Sequence, residues 1–154
     1  MKSMFRNYVL PEIEKSLKNK VVCKSIRTTG VPESILQEKI TDIIDANNGK
    51  CDIAFLPHRM LGVDIRLTSS DNQLVEDLIY EIVPRIKKYV YGYDNDKLEQ
   101  VIADLLIKNN LTVSTAESCT SGLLASRLTD VPGSSQYFKG CLLYTSDAAD
   151  DVAS

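Results

Sequence analysis

Tryptophan is missing from this 154-residue chain, and histidine occurs once. With His58 as the sole imidazole, a nucleophile elsewhere in the chain has to find another kind of base. Long apolar runs are missing as well. None approaches the roughly 20 residues of a membrane-spanning helix, and the N-terminus lacks the zones of a secretory signal. A cytoplasmic chain with no membrane partner is therefore expected. The four cysteines, Cys23, Cys51, Cys119 and Cys141, form no C-x-x-C pair, so neither disulfides nor a zinc site is expected, and no cofactor. Cys23 and Cys51 lie in apolar, strand-like runs and read as small core residues. A net charge of −3 argues against nucleic acid and favours a small-molecule partner. With 44% apolar and 25% charged residues, the balance is globular, enough for one ordinary domain or two small ones.

What is present is Ser114-Thr115-Ala116-Glu117-Ser118-Cys119-Thr120-Ser121-Gly122, followed by Asp130-Val131-Pro132-Gly133-Ser134-Ser135-Gln136-Tyr137-Phe138. Leu111, Val113 and Thr115 alternate as on a short strand, and Leu123, Leu124 and Leu128 recur at helical spacing. Ser118 is thus predicted on a strand-to-helix turn. The first amides of such a helix suit an oxyanion or a phosphate. Ser118 can be a nucleophile there, or no more than a helix cap. Cys119 is a rival nucleophile, since a helix N-terminus stabilises a thiolate, but a catalytic cysteine normally needs a histidine base, and His58 reads as loop surface. The G-x-S-x-G elbow of the α/β-hydrolases is not matched, because Ala116 and Thr120 stand where its glycines would be.

Thr115 to Gly122, followed by Leu128-Thr129-Asp130-Val131-Pro132-Gly133-Ser134-Ser135, closely resembles the opening of the CinA C-terminal domain, the nicotinamide-nucleotide amidohydrolase family. The resemblance implies deamidation of nicotinamide mononucleotide to nicotinate mononucleotide and ammonia, a step of pyridine nucleotide salvage. It implies Ser118 as nucleophile and places Glu117, Cys119, Thr120, Ser121 and Gly122 at the substrate. Ser121 departs from the family pattern, which has a glycine there.

Residues 1–20 read as one amphipathic helix around Val9, Ile13 and Leu17, with Pro11 as a first-turn proline. Met1 to Phe5 with Val9-Leu10-Pro11 resembles the closing stretch of the molybdopterin-binding-like domain of CinA proteins. Residues 21–93 read as strand, helix, strand, strand, helix. Asn47-Asn48-Gly49 stops the first of these helices, Pro57 to Gly62 forms a loop, and Pro84 predicts a kink or two abutting helices in place of the second helix. Val90 is placed on that second helix. This order, with Arg27 to Ser34 and Phe55-Leu56-Pro57, resembles the KH-type middle domain of CinA. Nucleic-acid-binding KH domains use a G-x-x-G loop, and Gly30 has no glycine partner. A rigid spacer or a dimer contact within a homo-oligomer is the expected role instead.

Tyr91-Gly92-Tyr93-Asp94-Asn95-Asp96 marks the domain boundary, and Asp96 with Glu99 reads as a capping box. Residues 94–140 then begin an α/β layered domain. The fold class is α+β: a KH-type α/β unit followed by the start of an α/β/α layered amidohydrolase domain. Arg127 and Lys139 read as a solvated face. The family carries a lysine in a tyrosine-serine-asparagine-x-alanine-lysine run after the residue matching Phe138. An ungapped extension puts Thr145 at the tyrosine and Asp150 at the lysine, with Tyr144 one residue out of register, which on a strand reverses its face. Residues 141–154 also resemble translated library adapter and are expected to be a non-native or disordered tail. The expectation is an inactive fragment of a nicotinamide-nucleotide amidohydrolase that leaves apolar surface uncovered over 98–140. The alternative is a non-catalytic KH-type interaction or RNA-binding module.

Overall fold

The computed structural model describes residues 4–16, 21–58 and 61–145, which divide after Asp94 into two units. Leu17 and the tail residues 146–154 lie outside the described residues, as do two positions of the expected 57–62 loop. The first unit opens with a helical segment, a π-turn over Phe5–Val9 running into α1, Leu10–Ser16. The N–H of Leu10 reaches back five residues to the Phe5 carbonyl. Pro11 follows directly, so it sits a turn and more inside the helical segment rather than in its first turn. A proline at this depth removes one ladder donor and crowds the preceding turn, and the wider π-turn accommodates it.

The remainder of this unit is β1 (Val22–Thr28), α2 (Glu33–Asn47), β2 (Asp52–His58), β3 (Gly62–Ser69), α3 (Asn72–Ile86) and β4 (Val90–Tyr93). The strands form one antiparallel sheet in the order β2-β3-β1-β4. Leu36, Ile40 and Ile43 on α2 and Val75, Leu78, Ile82 and Ile86 on α3 pack with Ile26, Val63, Ile65 and Leu67 of the sheet into one core. Burial of that many aliphatic side chains, each contributing about 1.5–3 kcal/mol, is what holds the helices to the sheet. Asn48 closes α2 in the left-handed region at φ 49. The Asn47 side chain exchanges two hydrogen bonds with the backbone of Cys51, at 2.7 and 3.0 Å, stitching the end of α2 to the start of β2. Asp71 caps α3 by accepting from the amides of Gln73 and Leu74.

Three expectations change here, at Val90, Cys23 and His58, and the structure shows how the chain passes Pro84. β4 pairs with β1 where a boundary loop and the end of a helix were expected. Val90 therefore lies on a strand, and the boundary follows it at Asp94, whose amide and carboxylate bond to the backbone of Ser25. Helix α3 runs through Pro84 and ends two residues later, giving way to a 3-10 turn over Lys87–Tyr89. Cys51 is buried but Cys23 is exposed, because β1 alternates and Cys23 falls on the face opposite Ile26. His58 is the last residue of β2 rather than loop surface. Its Nε2 lies 2.6 Å from Asp64, which also meets Arg27 Nε at 3.1 Å.

The second unit contains α4 (Leu98–Lys108), β5 (Val113–Glu117), α5 (Leu123–Thr129) and β6 (Phe138–Leu143), with β5 and β6 parallel. A parallel pair requires a crossover, and α5 supplies it. The core is small: Ala103, Val131 and Tyr137, flanked by Leu106, Val113 and Phe138. Leu105, Leu111, Leu124 and Leu142 are all more than half exposed. Helix α4 starts at Leu98 with Lys97 in the capping position, and Glu99 binds Arg127, its Oε1 2.8 Å from Nε. The expected capping box therefore gives way to an ion pair between α4 and α5, and Arg127 is not a free solvated residue. Cys141, Leu142 and Leu143, expected in a disordered tail, complete β6 and pair with Thr115, Ala116 and Glu117. Backbone pairing with β5 makes them part of the sheet whatever their side chains contribute.

Gly62 opens β3 at φ +133, and a Cβ there would lie 2.4 Å from the Thr28 carbonyl oxygen and 2.8 Å from Thr29 Cα. Gly62→Ala is expected to lower stability by about 1–3 kcal/mol through overpacking, in addition to its backbone strain. Gly49→Ala, at φ +73 with nothing within 4 Å, is expected to lose only the left-handed penalty of about 1–2 kcal/mol. Urea unfolding of the two variants checks this, and equal midpoints would show that the close approach at Gly62 carries no weight.

Candidate active site

Ser118 is the first residue of a five-residue turn between β5 and α5. Within the turn, the Ser121 amide donates to the Ser118 carbonyl at 3.0 Å and the Leu123 amide to the Thr120 carbonyl at 2.9 Å. Gly122, at φ 86, occupies the capping position of α5. Ser118 is therefore not the helix cap. The amides of Cys119, Thr120 and Gly122 donate to no acceptor among the described residues.

The amides that open α5 are already taken. Glu117 is 4% exposed; its Oε2 accepts from the Leu124 amide at 3.0 Å and its Oε1 from the Ala125 amide at 2.8 Å. The expectation that the first helical amides receive an oxyanion or a phosphate is thus corrected, because the chain's own carboxylate fills that place. Glu117, expected among the substrate contacts, is likewise turned inward. Burial pushes its carboxyl up, but the Thr120 hydroxyl and the Ala125 and Leu124 amides outweigh burial and hold it at about 2. A carboxylate that weak is a poor general base at neutral pH.

Beside the turn is an open depression of ≈ 490 Å³ lined by Ser118, Ser121, Leu143, Tyr144 and Thr145, within the ~300–1,000 Å³ range of small-ligand sites. Tyr144 reaches it although it is one residue out of the expected register. β6 ends at Leu143, so strand alternation no longer governs Tyr144, whose amide instead binds the Glu117 carbonyl at 3.0 Å. Cys119 is exposed in the same turn but precedes the helix by four residues. Lys139 Nζ lies 3.5 Å from the carbonyls of Ser135 and Gln136. His58 belongs to the first unit and is engaged by Asp64. Among the described residues, no group of three or more His, Cys, Asp and Glu is placed to hold a metal ion, and no helix is long and apolar enough to cross a membrane.

The second motif is structural in this fold. Val131 and Tyr137 are buried, and the Tyr137 hydroxyl donates to the Leu128 carbonyl at 2.6 Å. This bond ties the end of α5 to the approach to β6. Sequence reasoning missed Tyr144 as a lining residue, and the only signal for it was an aromatic close to the expected tyrosine position.

Ser121 is held in the left-handed region at φ 51, where an L side chain costs about 1–2 kcal/mol. After allowing for the extra unfolded-chain entropy of glycine, Ser121→Gly is expected to raise stability by about 0.5–1 kcal/mol, read as a higher urea midpoint. Because Glu117 is depressed from 4.5 to about 2 on folding, its stabilisation is complete above pH ~4.5 and is lost as pH falls towards 2. The stability gap between the parent chain and Glu117→Gln is therefore expected to be constant above that window and to close within it, as measured by unfolding at stepped pH.

Residues 95–153 match the CinA C-terminal domain, and residues 23–92 match the damage-inducible protein CinA KH domain. A CinA-like protein of Chlorobium phaeobacteroides (strain BS1) is 39% identical over 157 residues, covering 98% of this chain and 37% of that protein. A CinA-like protein of Chlorobium chlorochromatii is 36% identical over 158 residues, covering 97% and 37%. One of Dictyoglomus thermophilum is 35% identical over 144 residues, covering 91% and 35%. The chain thus spans little more than a third of the length of the curated relatives it matches. With a CinA KH domain followed directly by a CinA C-terminal domain, it belongs to the CinA family.

Proposed function

We propose that the second unit carries the nucleophile end of an amide hydrolase acting on nicotinamide mononucleotide. The observation that carries this reading is the placement of Ser118 at an open depression, in a turn whose Cys119, Thr120 and Gly122 amides donate to no acceptor among the described residues. In the proposed reaction the Ser118 hydroxyl attacks the carboxamide carbon. The negative charge that develops on the carbonyl oxygen is received by these turn amides. Collapse of the tetrahedral species expels ammonia and leaves an acyl ester on Ser118, which water hydrolyses to the carboxylate. Leu143 and Tyr144 would supply the apolar side of the depression, and Ser121 and Thr145 its hydroxyls.

Attack by a serine also needs a proton acceptor. Glu117 is held too acidic for this, and Lys139 lies against backbone carbonyls. Ammonia release from nicotinamide mononucleotide by the chain alone is therefore expected to be slow or undetectable. A chimera in which the family's lysine-bearing run follows Gly140 is expected to restore it. In that chimera Ser118→Ala is expected to lower the rate by at least roughly a thousandfold, the scale of a lost nucleophile. Ammonia release that survives Ser118→Ala, or a chimera as silent as the chain, would sink the reading.

A further inference from the structure

An ordinary helix cap comes from the residue beside the helix and constrains only its first turn. In α5 the capping position is Gly122, which has no side chain to offer, and the acceptor comes from seven and eight residues upstream. That acceptor is Glu117, the residue immediately before Ser118. The same carboxylate lies 3.6 Å from the Cys141 thiol on β6. One buried side chain therefore joins the two ends of the Ser118 turn. It does so without lining the depression, which is bounded by Ser118, Ser121, Leu143, Tyr144 and Thr145.

We infer that Glu117 is a positioning residue for Ser118: its carboxylate ties the end of β5 to the start of α5 across residues 118–122 and so sets how the serine is presented to substrate. This rests on the amidohydrolase reading of the same site. It also bears on the substrate. Since the α5 amides carry the chain's own anion, the phosphate of a mononucleotide is received elsewhere.

Two measurements taken without substrate test this in the full chain, comparing the parent with Glu117→Ala and Glu117→Gln; Cys141 is kept because its Sγ lies 3.6 Å from Glu117 Oε1, and Cys119 modification is read at its own peptide by mass spectrometry. The first is amide hydrogen exchange at Leu124 and Ala125, with the buried Ala103 of α4 as monitor of the whole unit. The second is the alkylation rate of exposed Cys119, which reports the turn one residue from Ser118. In Glu117→Ala, exchange at Leu124 and Ala125 is expected to rise roughly tenfold, the scale of a lost capping interaction, with Ala103 unchanged. Cys119 alkylation is expected to shift severalfold. Glu117→Gln, which keeps one acceptor oxygen, is expected to recover part of both effects.

Alkylation equal in all three chains would reduce Glu117 to a helix cap and overturn the inference. So would exchange at Ala103 rising in step with Leu124 and Ala125, which would mean that the whole unit had loosened. If Glu117→Ala fails to fold, Glu117→Gln carries the same comparison with smaller shifts in the same direction. Ammonia release by the chimera that needs Ser118 but is indifferent to Glu117→Gln would overturn this inference and leave the amidohydrolase reading standing.

Discussion

A carboxylate buried at the end of a strand must either find donors or lose its charge, because desolvation penalises the ionised form. Glu117 finds them in the amides of Leu124 and Ala125, and the second unit is arranged around that solution. β5 ends there, the turn carrying Ser118 is drawn in over the carboxylate, and α5 begins where its first free amides meet the two oxygens. The Glu117 carbonyl then receives Tyr144 as the chain leaves β6. Both walls of the Ser118 depression are therefore anchored to the same residue, one through its side chain and the other through its backbone. The apolar core of this unit is small, so polar ties of this kind carry an unusual share of its order.

The first unit depends on a different balance. Its four-stranded sheet and two long helices share an aliphatic core, and polar contacts finish the edges. Arg27 bridges Asp64 and the hydroxyl of Tyr91, and His58 approaches Asp64 from β2, so this cluster links all four strands. Arg27 is also partly shielded by the ring of Tyr91. The only histidine of the chain is thus spent on a structural partner within its own unit.

Much of this architecture was legible from pattern. The periodic runs of α2 and α3, the alternation of β3 and the Asn47-Asn48-Gly49 stop correspond to observed elements. β4 and β6 were missed for separate reasons. Val90–Tyr93 is four residues long and contains a glycine, so nothing in its local composition distinguishes it from a loop; its pairing with β1 makes it a strand. β6 crosses Gly140, and its last residues carry no alternating burial, since Cys141, Leu142 and Leu143 are all exposed. Cys23 shows the same limit on a smaller scale, because an apolar run does not say which of two alternating faces is the core. Pro84 was expected to bring a kink or two abutting helices; α3 continues through it and meets a 3-10 turn two residues beyond.

The site divides along the same line. Sequence by itself determined the two domains, the serine in its motif and the strand-then-helix setting, because periodicity and residue type are local properties. It could not determine where the helix amides would find their partners, since Glu117, Leu124 and Ala125 are brought together only when the turn closes. Nor could it tell that Tyr144 would line the depression, which depends on β6 ending one residue earlier. Those outcomes follow from packing and hydrogen-bond satisfaction between segments distant in sequence, and only the tertiary structure decided them.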